Sequence, residues 1–367
     1  MERHVIQNSK RIVIKVGSSI LATKDYALDN KWIKDFARQV TVLLTKGYEV
    51  IIVSSGAIAA GMGILGMKKR PKSLPEQQAC AALGQGYLMK IYEDSFKRSS
   101  FHTAQVLLTW EDIGQRKRYL NVENTLRALL SKRAVPIINE NDTVSIDEIK
   151  FGDNDKLSAL VANIVDADLL IMLTDVDGLY DGNKKCIGII KEIDDGIENI
   201  AGGTNKEGSK GGMRTKLDAC KISISSGINC VIANGRKKDI LLRILKGEDI
   251  GTLFVANKNK MGSRKKWIAY HTKAQGKVIV DDGAKEAILK KNKSLLPCGV
   301  KKVEGKFLYG DVVLITDING KAFAKGLSSY NRDDLDNIKG LSTKDAEKVI
   351  KEGFYEEAVH RDNLAII

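Results

Sequence analysis

A chain of 367 residues with 43% hydrophobic and 29% charged side chains has an ordinary globular composition and is long enough for two domains. It has no stretch of 18 apolar residues, which excludes a conventional membrane-spanning helix. Its five scattered cysteines, with no CxxC pair, exclude a zinc-finger or disulfide framework, while a net charge of +13 admits an anionic substrate, a nucleic acid or simply a solvated surface.

The opening segment, MERHVIQNSKR, lacks the apolar middle of a secretory signal, so a cytoplasmic location with reduced thiols is expected. The run RIVIKVG (residues 11–17) reads as a buried parallel strand. Its Lys15, followed by Gly17 and two serines, suits a phosphate: glycine lets backbone N–H groups come close and the lysine supplies a point charge. An ordinary strand end with a solvated lysine has the same residues. In residues 29–47, DNKWIKDFARQVTVLLTKG, the positions Trp32, Ile33, Phe36, Val40, Leu43 and Leu44 follow a helical period and Gly47 closes it. A second strand, YEVIIVSSGA, runs into SSGAIAAGMGILG, which predicts a helix start packed beneath a ligand. Strand, helix and strand form a βαβ unit. Its repetition implies an α/β sandwich with ligands outside the carboxyl ends of the strands.

AVPIINE supplies another strand and opens the stretch NENDTVSIDEIKFGDNDKLSALVANI, residues 139–164. Asn139, Glu140, Asn141 and Asp142 form one polar knot; Asp153, Asn154 and Asp155 form another. So many short polar side chains need partners if buried, and packing alone provides none. A helix through Leu157, Leu160, Val161 and Ile164 follows. DLLIMLTD is the next strand, and Thr174 and Asp175 at its end suit a wall for a base and ribose, or a plain turn. In GSKGGMRTKLDACKISISSG, Gly211 and Gly212 precede a helix with Leu217, Cys220 and Ile224 on its apolar face. Helical side chains lean toward the N-terminus, so Lys216 can reach an anion held there. Lys15 and Lys216 together can clamp a transferring phosphoryl group. No Walker sequence and no HRD or DFG set occurs. NCVIANG is a further strand.

Beyond Val255 the texture changes. Close-spaced short strands with glycine turns predict a small β-rich domain. The expected division is 1–257 for the first domain, 258–273 for a linker, 274–352 for the second domain and 353–367 for a tail. Basic residues outnumber acidic ones between Arg264 and Lys306, which suits RNA. Aromatic residues for base stacking are sparse there: Trp267, Tyr270, Phe307 and Tyr309.

The motifs KVGSS, SSGAIAAG, INENDTV, FGDNDKLSALVA, LLTDVDGLY and GGMRTK occur in that order over residues 10–255. In this set the chain resembles the glutamate 5-kinase branch of the amino acid kinase family. LLPCGV, GKFLYGDVV and AKGLSSYN resemble a PUA domain. The resemblance implies a three-layer α/β/α, carbamate kinase-like sandwich with a mainly parallel sheet, followed by a small β-barrel. It also implies ATP- and Mg2+-dependent phosphorylation of the γ-carboxylate of L-glutamate to L-glutamyl 5-phosphate, opening proline biosynthesis with proline as feedback inhibitor, in a homo-oligomer. Kinases of other amino-acid carboxylates, and RNA binding through the PUA domain, are the alternatives. No membrane partner is expected.

By the same resemblance, Lys15 and Lys216 stabilise the migrating phosphoryl group and Asp155 orients them. Ser55, Asp142 and Asn154 match glutamate-binding positions, and Asp153 and Lys150 lie on the same substrate loop. Lys15, Thr174, Asp175, Lys210, Gly211, Gly212, Met213, Arg214, Thr215 and Lys216 match ATP-binding positions. Lys210 stands where the family carries threonine, offering charge in place of a hydroxyl. Free glutamate also accounts for the knots: Asp142 and Asp153 would take its ammonium, and Asn154 would face a carboxylate. The roles of Asp153 and Asp155 stay interchangeable. A carboxylate nucleophile is already ionised at neutral pH and needs no general base, consistent with His4, His102, His271 and His360 lying outside the motifs. No protein ligand for magnesium is assigned.

Overall fold

The computed structural model describes residues 3–23, 26–97, 99–144, 154–202, 212–256, 262–350 and 353–367. The chain divides into two compact units, one of Met1–Ile113 with Lys117–Lys260, the other of Gly114–Arg116 with Met261–Ile367.

Among the described residues the first unit has eight strands: β1 (Arg11–Val16), β2 (Glu49–Ser54), β3 (Thr103–Leu108), β4 (Val135–Glu140), β5 (Leu169–Thr174), β6 (Ile189–Ile190), β7 (Asn229–Asn234) and β8 (Thr252–Phe254). They lie in the order β3-β4-β2-β1-β5-β7-β8-β6. Every pairing is parallel except β7 with β8. The central strands are buried almost end to end, as the unbroken Val and Ile runs require of a sheet covered on both faces. The first crossover helix, Asn30–Thr45, begins at Asp29, whose carboxylate accepts from the Trp32 N–H at 3.0 Å. It ends at Gly47, with φ of 86°. Ile33, Phe36, Val40 and Leu43 on its inner face are buried, each worth about 1.5–3 kcal/mol in apolar transfer.

β1 sits between β2 and β5, with Lys15 in register with Val53 on one side and Met172 on the other. The chain leaves β1 for one side first and returns to the other later, so a crevice opens above its carboxyl end. The five strands legible as apolar runs are all present. β3, β6 and β8 are additions. β3 is an edge strand with a half-exposed pattern, and β8 is three residues long, so neither makes the apolar run that marks a central strand.

The second unit carries β9 (Gly276–Val280), β10 (Val300–Gly305), β11 (Val312–Thr316), β12 (Ala322–Leu327) and β13 (Leu364–Ile366), in the order β10-β9-β11-β12-β13. Among the described residues only β9 and β11 pair in parallel here. Val278, Val280, Ile288, Val313, Ile315 and Phe323 are among its core residues. Two expectations change here. The stretch expected as a linker contains a π-helical turn, Trp267–His271, with Trp267, Ile268 and Ala269 buried. The stretch expected as a tail supplies β13, which pairs with β12 and so covers an edge of the sheet. Trp267 and Phe307 are 8% and 4% exposed, so neither offers a face for base stacking.

Candidate active site

Three charged side chains from distant parts of the sequence meet at the carboxyl end of β1. Lys15 is its penultimate residue; Asp155 is the second residue of the helix Asn154–Ile164; Lys216 lies in the first turn of the helix Met213–Ser225. Lys15 Nζ is 2.5 Å from Asp155 Oδ1 and Lys216 Nζ is 3.1 Å from Oδ2. All three are buried, Asp155 completely. The Thr215 hydroxyl is within donating distance of Asp155 Oδ2, at 2.9 Å, and of the Gly212 carbonyl, at 3.0 Å. Burial alone would push the Asp155 carboxyl up. The ammonium groups of Lys15 and then Lys216 outweigh it and hold the group down at about 2. Among the described residues, this one carboxylate serves both ammoniums.

Beside this triad lies a network of amides. Asn154 Nδ2 approaches the Ser54 carbonyl at 3.2 Å, Ser55 Oγ at 2.9 Å and Asn139 Oδ1 at 2.9 Å. Asn139 Nδ2 donates to Gln85 Oε1 at 3.0 Å, and Asn139 Oδ1 accepts from the Glu140 N–H at 2.9 Å. A carbonyl oxygen can only accept, so Ser54 fixes which end of the Asn154 amide is nitrogen. The Asn154 amide nitrogen is thus engaged by protein acceptors.

Small residues let the walls come close. Gly56, at φ 100°, precedes the helix Ala57–Ile64. That helix crosses Leu74–Phe96 so tightly that a Cβ on Gly84 would lie 1.9 Å from the Ala57 carbonyl, and one on Gly61 equally close to that of Cys80. On the other side of β1, Thr174 Oγ1 donates to Asp175 Oδ1 at 3.1 Å. The helix Met213–Ser225 starts at Gly212, with no side-chain cap at its N-terminus among the described residues.

A cleft of about 460 Å³ joins these parts, and its lining includes Lys15, Ser55, Asp142, Asn154, Thr174 and Lys216, with Asp175 beside Thr174. Gly212, Met213, Arg214 and Thr215 lead to Lys216, which lines the cleft. The predicted Lys150, Asp153, Lys210 and Gly211 fall outside the described residues. The lining also includes Glu140, Tyr26 and Arg70. Glu140 belongs to the first polar knot, whereas Tyr26 and Arg70 carried no sequence signal. Arg70 lies in the run KKRPK, which reads as a solvated charge cluster. Among the described residues no group of three or more His, Cys, Asp and Glu side chains gathers as a metal cage.

Comparison with known proteins places these features in context. The model of the amino acid kinase family matches residues 10–234, and that of the PUA domain matches residues 276–350. The chain is 48% identical over 363 residues to a glutamate 5-kinase of Caldanaerobacter subterraneus subsp. tengcongensis, covering 97% of this chain and 98% of that enzyme. It is 44% identical to a glutamate 5-kinase of Syntrophotalea carbinolica over the whole of both chains. In fold it is similar to the structure of Giardia carbamate kinase, at a TM-score of 0.50 and 18% identity, which covers 68% of this chain and all of that one.

Proposed function

Since the chain belongs to the amino acid kinase family, in its glutamate 5-kinase branch, we propose that it transfers the γ-phosphoryl group of ATP to the γ-carboxylate of L-glutamate. The product is then L-glutamyl 5-phosphate, an acyl phosphate, at the first step of proline biosynthesis. The observation that carries this reading is the buried Lys15–Asp155–Lys216 triad. It lies between an acceptor-rich wall at the end of β4 and the Thr174–Asp175 wall at the end of β5.

The chemistry follows from charge. A carboxylate must approach a phosphate that is also anionic, and a water-poor site makes their repulsion severe. Lys15 and Lys216 offset it from both sides of the transferring group. Asp155 fixes the two ammoniums in place, so little reorganisation is needed when charge moves. No proton has to leave the nucleophile, and no histidine lines the cleft among the described residues. On the substrate wall, the Asp142 carboxylate presents an acceptor to the glutamate ammonium. Asp153 and Lys150 would complete that wall from the substrate loop, and Lys210 and Gly211 the phosphate turn. The start of the Met213–Ser225 helix, with its dipole's positive end, suits the nucleotide phosphates. Magnesium would be held mainly by the nucleotide phosphates and waters, with one of the cleft carboxylates.

The test is an acceptor screen with ATP and magnesium, trapping acyl phosphate with hydroxylamine. A glutamate-dependent hydroxamate is expected. A signal with another amino-acid carboxylate and none with glutamate would overturn the substrate assignment. Inhibition by proline in the same assay tests the regulatory part of the reading, and light scattering tests the homo-oligomer. RNA binding by the second unit is the less supported reading, because Trp267 and Phe307 belong to the core.

A further inference from the structure

We infer that Arg70 holds the α-carboxylate of the amino-acid substrate and sets selectivity for a free α-carboxylate. The inference rests on the glutamate kinase reading and extends it to a residue that no motif marks.

The argument begins with a turn. The helix Ala57–Ile64 ends in a Schellman arrangement: the Gly66 N–H donates to the Gly63 carbonyl at 3.2 Å and the Met67 N–H to the Met62 carbonyl at 2.9 Å. Gly66 takes φ of 65°, which reverses the chain. The segment that follows is pinned at both ends. Met67 Sδ lies 3.7 Å from Cys80 Sγ, and Gln77 Nε2 donates to the Pro71 carbonyl at 3.0 Å. Pro71 also restrains Arg70 to extended backbone. Arg70 is thereby fixed at the rim of the cleft, where it joins the lining, with its side chain open to solvent. None of the described residues forms a salt bridge with it.

The position is on the substrate side. Arg70 follows the helix that leaves β2, and β2 lies between β1 and β4. Thr174 and Asp175 end β5, across β1. The cationic side chains on the described lining are Lys15, Lys216 and Arg70. The first two are engaged with Asp155 at the reacting end. The lining at and just after the end of β4 includes Glu140 and Asp142, carboxylates that attract an ammonium and repel a carboxylate. An α-amino acid carries both groups on one carbon. Its carboxylate therefore needs a cation on the same side, and a guanidinium meets a carboxylate with two parallel hydrogen bonds.

The test compares wild type, Arg70→Leu and Arg70→Lys with L-glutamate and with its α-amide, which keeps the ammonium and the γ-carboxylate. In Arg70→Leu the KM for glutamate rises about tenfold while that for ATP holds, the size of one exposed charge-assisted hydrogen-bond pair. The preference for glutamate over the amide, read as a ratio of kcat/KM values, collapses toward one. Arg70→Lys keeps part of it. Calorimetric binding of the two ligands to the full chain gives the same ratio if turnover becomes too slow. An undiminished preference in Arg70→Leu overturns the assignment, even with a raised KM. Absence of glutamate-dependent turnover in the wild type overturns instead the reading on which it rests.

Discussion

Lys15 and Asp155 form a 2.5 Å ion pair that is closed to solvent, although one belongs to a strand and the other to a helix much later in the chain. Buried charges persist only when paired, and this carboxylate serves Lys216 as well. Asp155→Asn would leave two buried ammoniums facing each other across a neutral amide. A stability loss of about 3–5 kcal/mol in urea unfolding is expected, the usual cost of breaking a buried pair. Acyl phosphate formation should fall with it, measured at a temperature where the variant stays folded. Unchanged stability would show that the pair is solvated in solution.

Lys216 contributes charge at the transferring group rather than structure alone. Lys216→Ala leaves the Lys15–Asp155 pair in place, so the chain should fold and bind nucleotide. Its kcat should drop about 100-fold or more, by analogy with loss of one donor to a developing charge. Steady-state kinetics with saturating glutamate check this, and intact turnover would remove Lys216 from the phosphoryl clamp.

The ion pairs also predict a pH profile. The Asp155 carboxyl is held at about 2 in the folded chain, because Lys15 and Lys216 outweigh the opposing effect of burial. An unfolded aspartate titrates at about 3.9. The folded value is the lower one, so the contribution is complete above about pH 4 and is lost as pH falls through about 2. Its size is about 2–3 kcal/mol. The stability difference between wild type and Asp155→Asn should therefore stay level from pH 8 to 5 and shrink below pH 4. A difference that already shrinks near neutrality would contradict the assignment.

Asn154 is predicted to tolerate no acid. Asn154→Asp is nearly isosteric, but it replaces the amide nitrogen with an oxygen facing the Ser54 carbonyl and Asn139 Oδ1. A loss of about 1–3 kcal/mol is expected from those unpaired acceptors, together with a raised KM for glutamate. If thermal stability and KM both hold, the amide orientation is wrong.

Two glycines of one helix should respond in opposite ways. A Cβ on Gly84 would lie 1.9 Å from the Ala57 carbonyl, whereas one on Gly86 meets nothing within 4 Å. Gly84→Ala should force the helices apart, cost about 1–3 kcal/mol or more, and disturb the Ser55–Ala57 wall of the cleft. Gly86→Ala should gain about 0.5–1 kcal/mol from helix propensity. Thermal unfolding of the pair separates packing from propensity.

Much of the fold is legible because its signals are local. β1, β2, β4, β5 and β7 show as unbroken apolar runs, since each is buried on both faces. β3 and β8 are obscure because an edge position or a three-residue length leaves little pattern. The C-terminal strand β13 is equally short and gains its place only from pairing with β12. At the site, Lys15, Asn154, Asp155 and Lys216 stand out because a buried polar residue beside an apolar run needs a reason. Arg70 does not, because a basic residue in a basic loop needs none.

Composition, periodicity and motif order thus determine the class of fold, the family and the side chains that carry charge to the cleft. They do so because secondary structure and the carboxyl ends of parallel strands follow from residues close in sequence. Which partner each polar group takes is a different matter, since hydrogen bonds depend on distances between segments far apart in the chain. The tertiary structure supplied the contacts by which Asp155, expected to orient both lysines, meets each of them. It also joined the Asn154 amide nitrogen to Ser54, Ser55 and Asn139, and brought Arg70 to the rim of the same cleft.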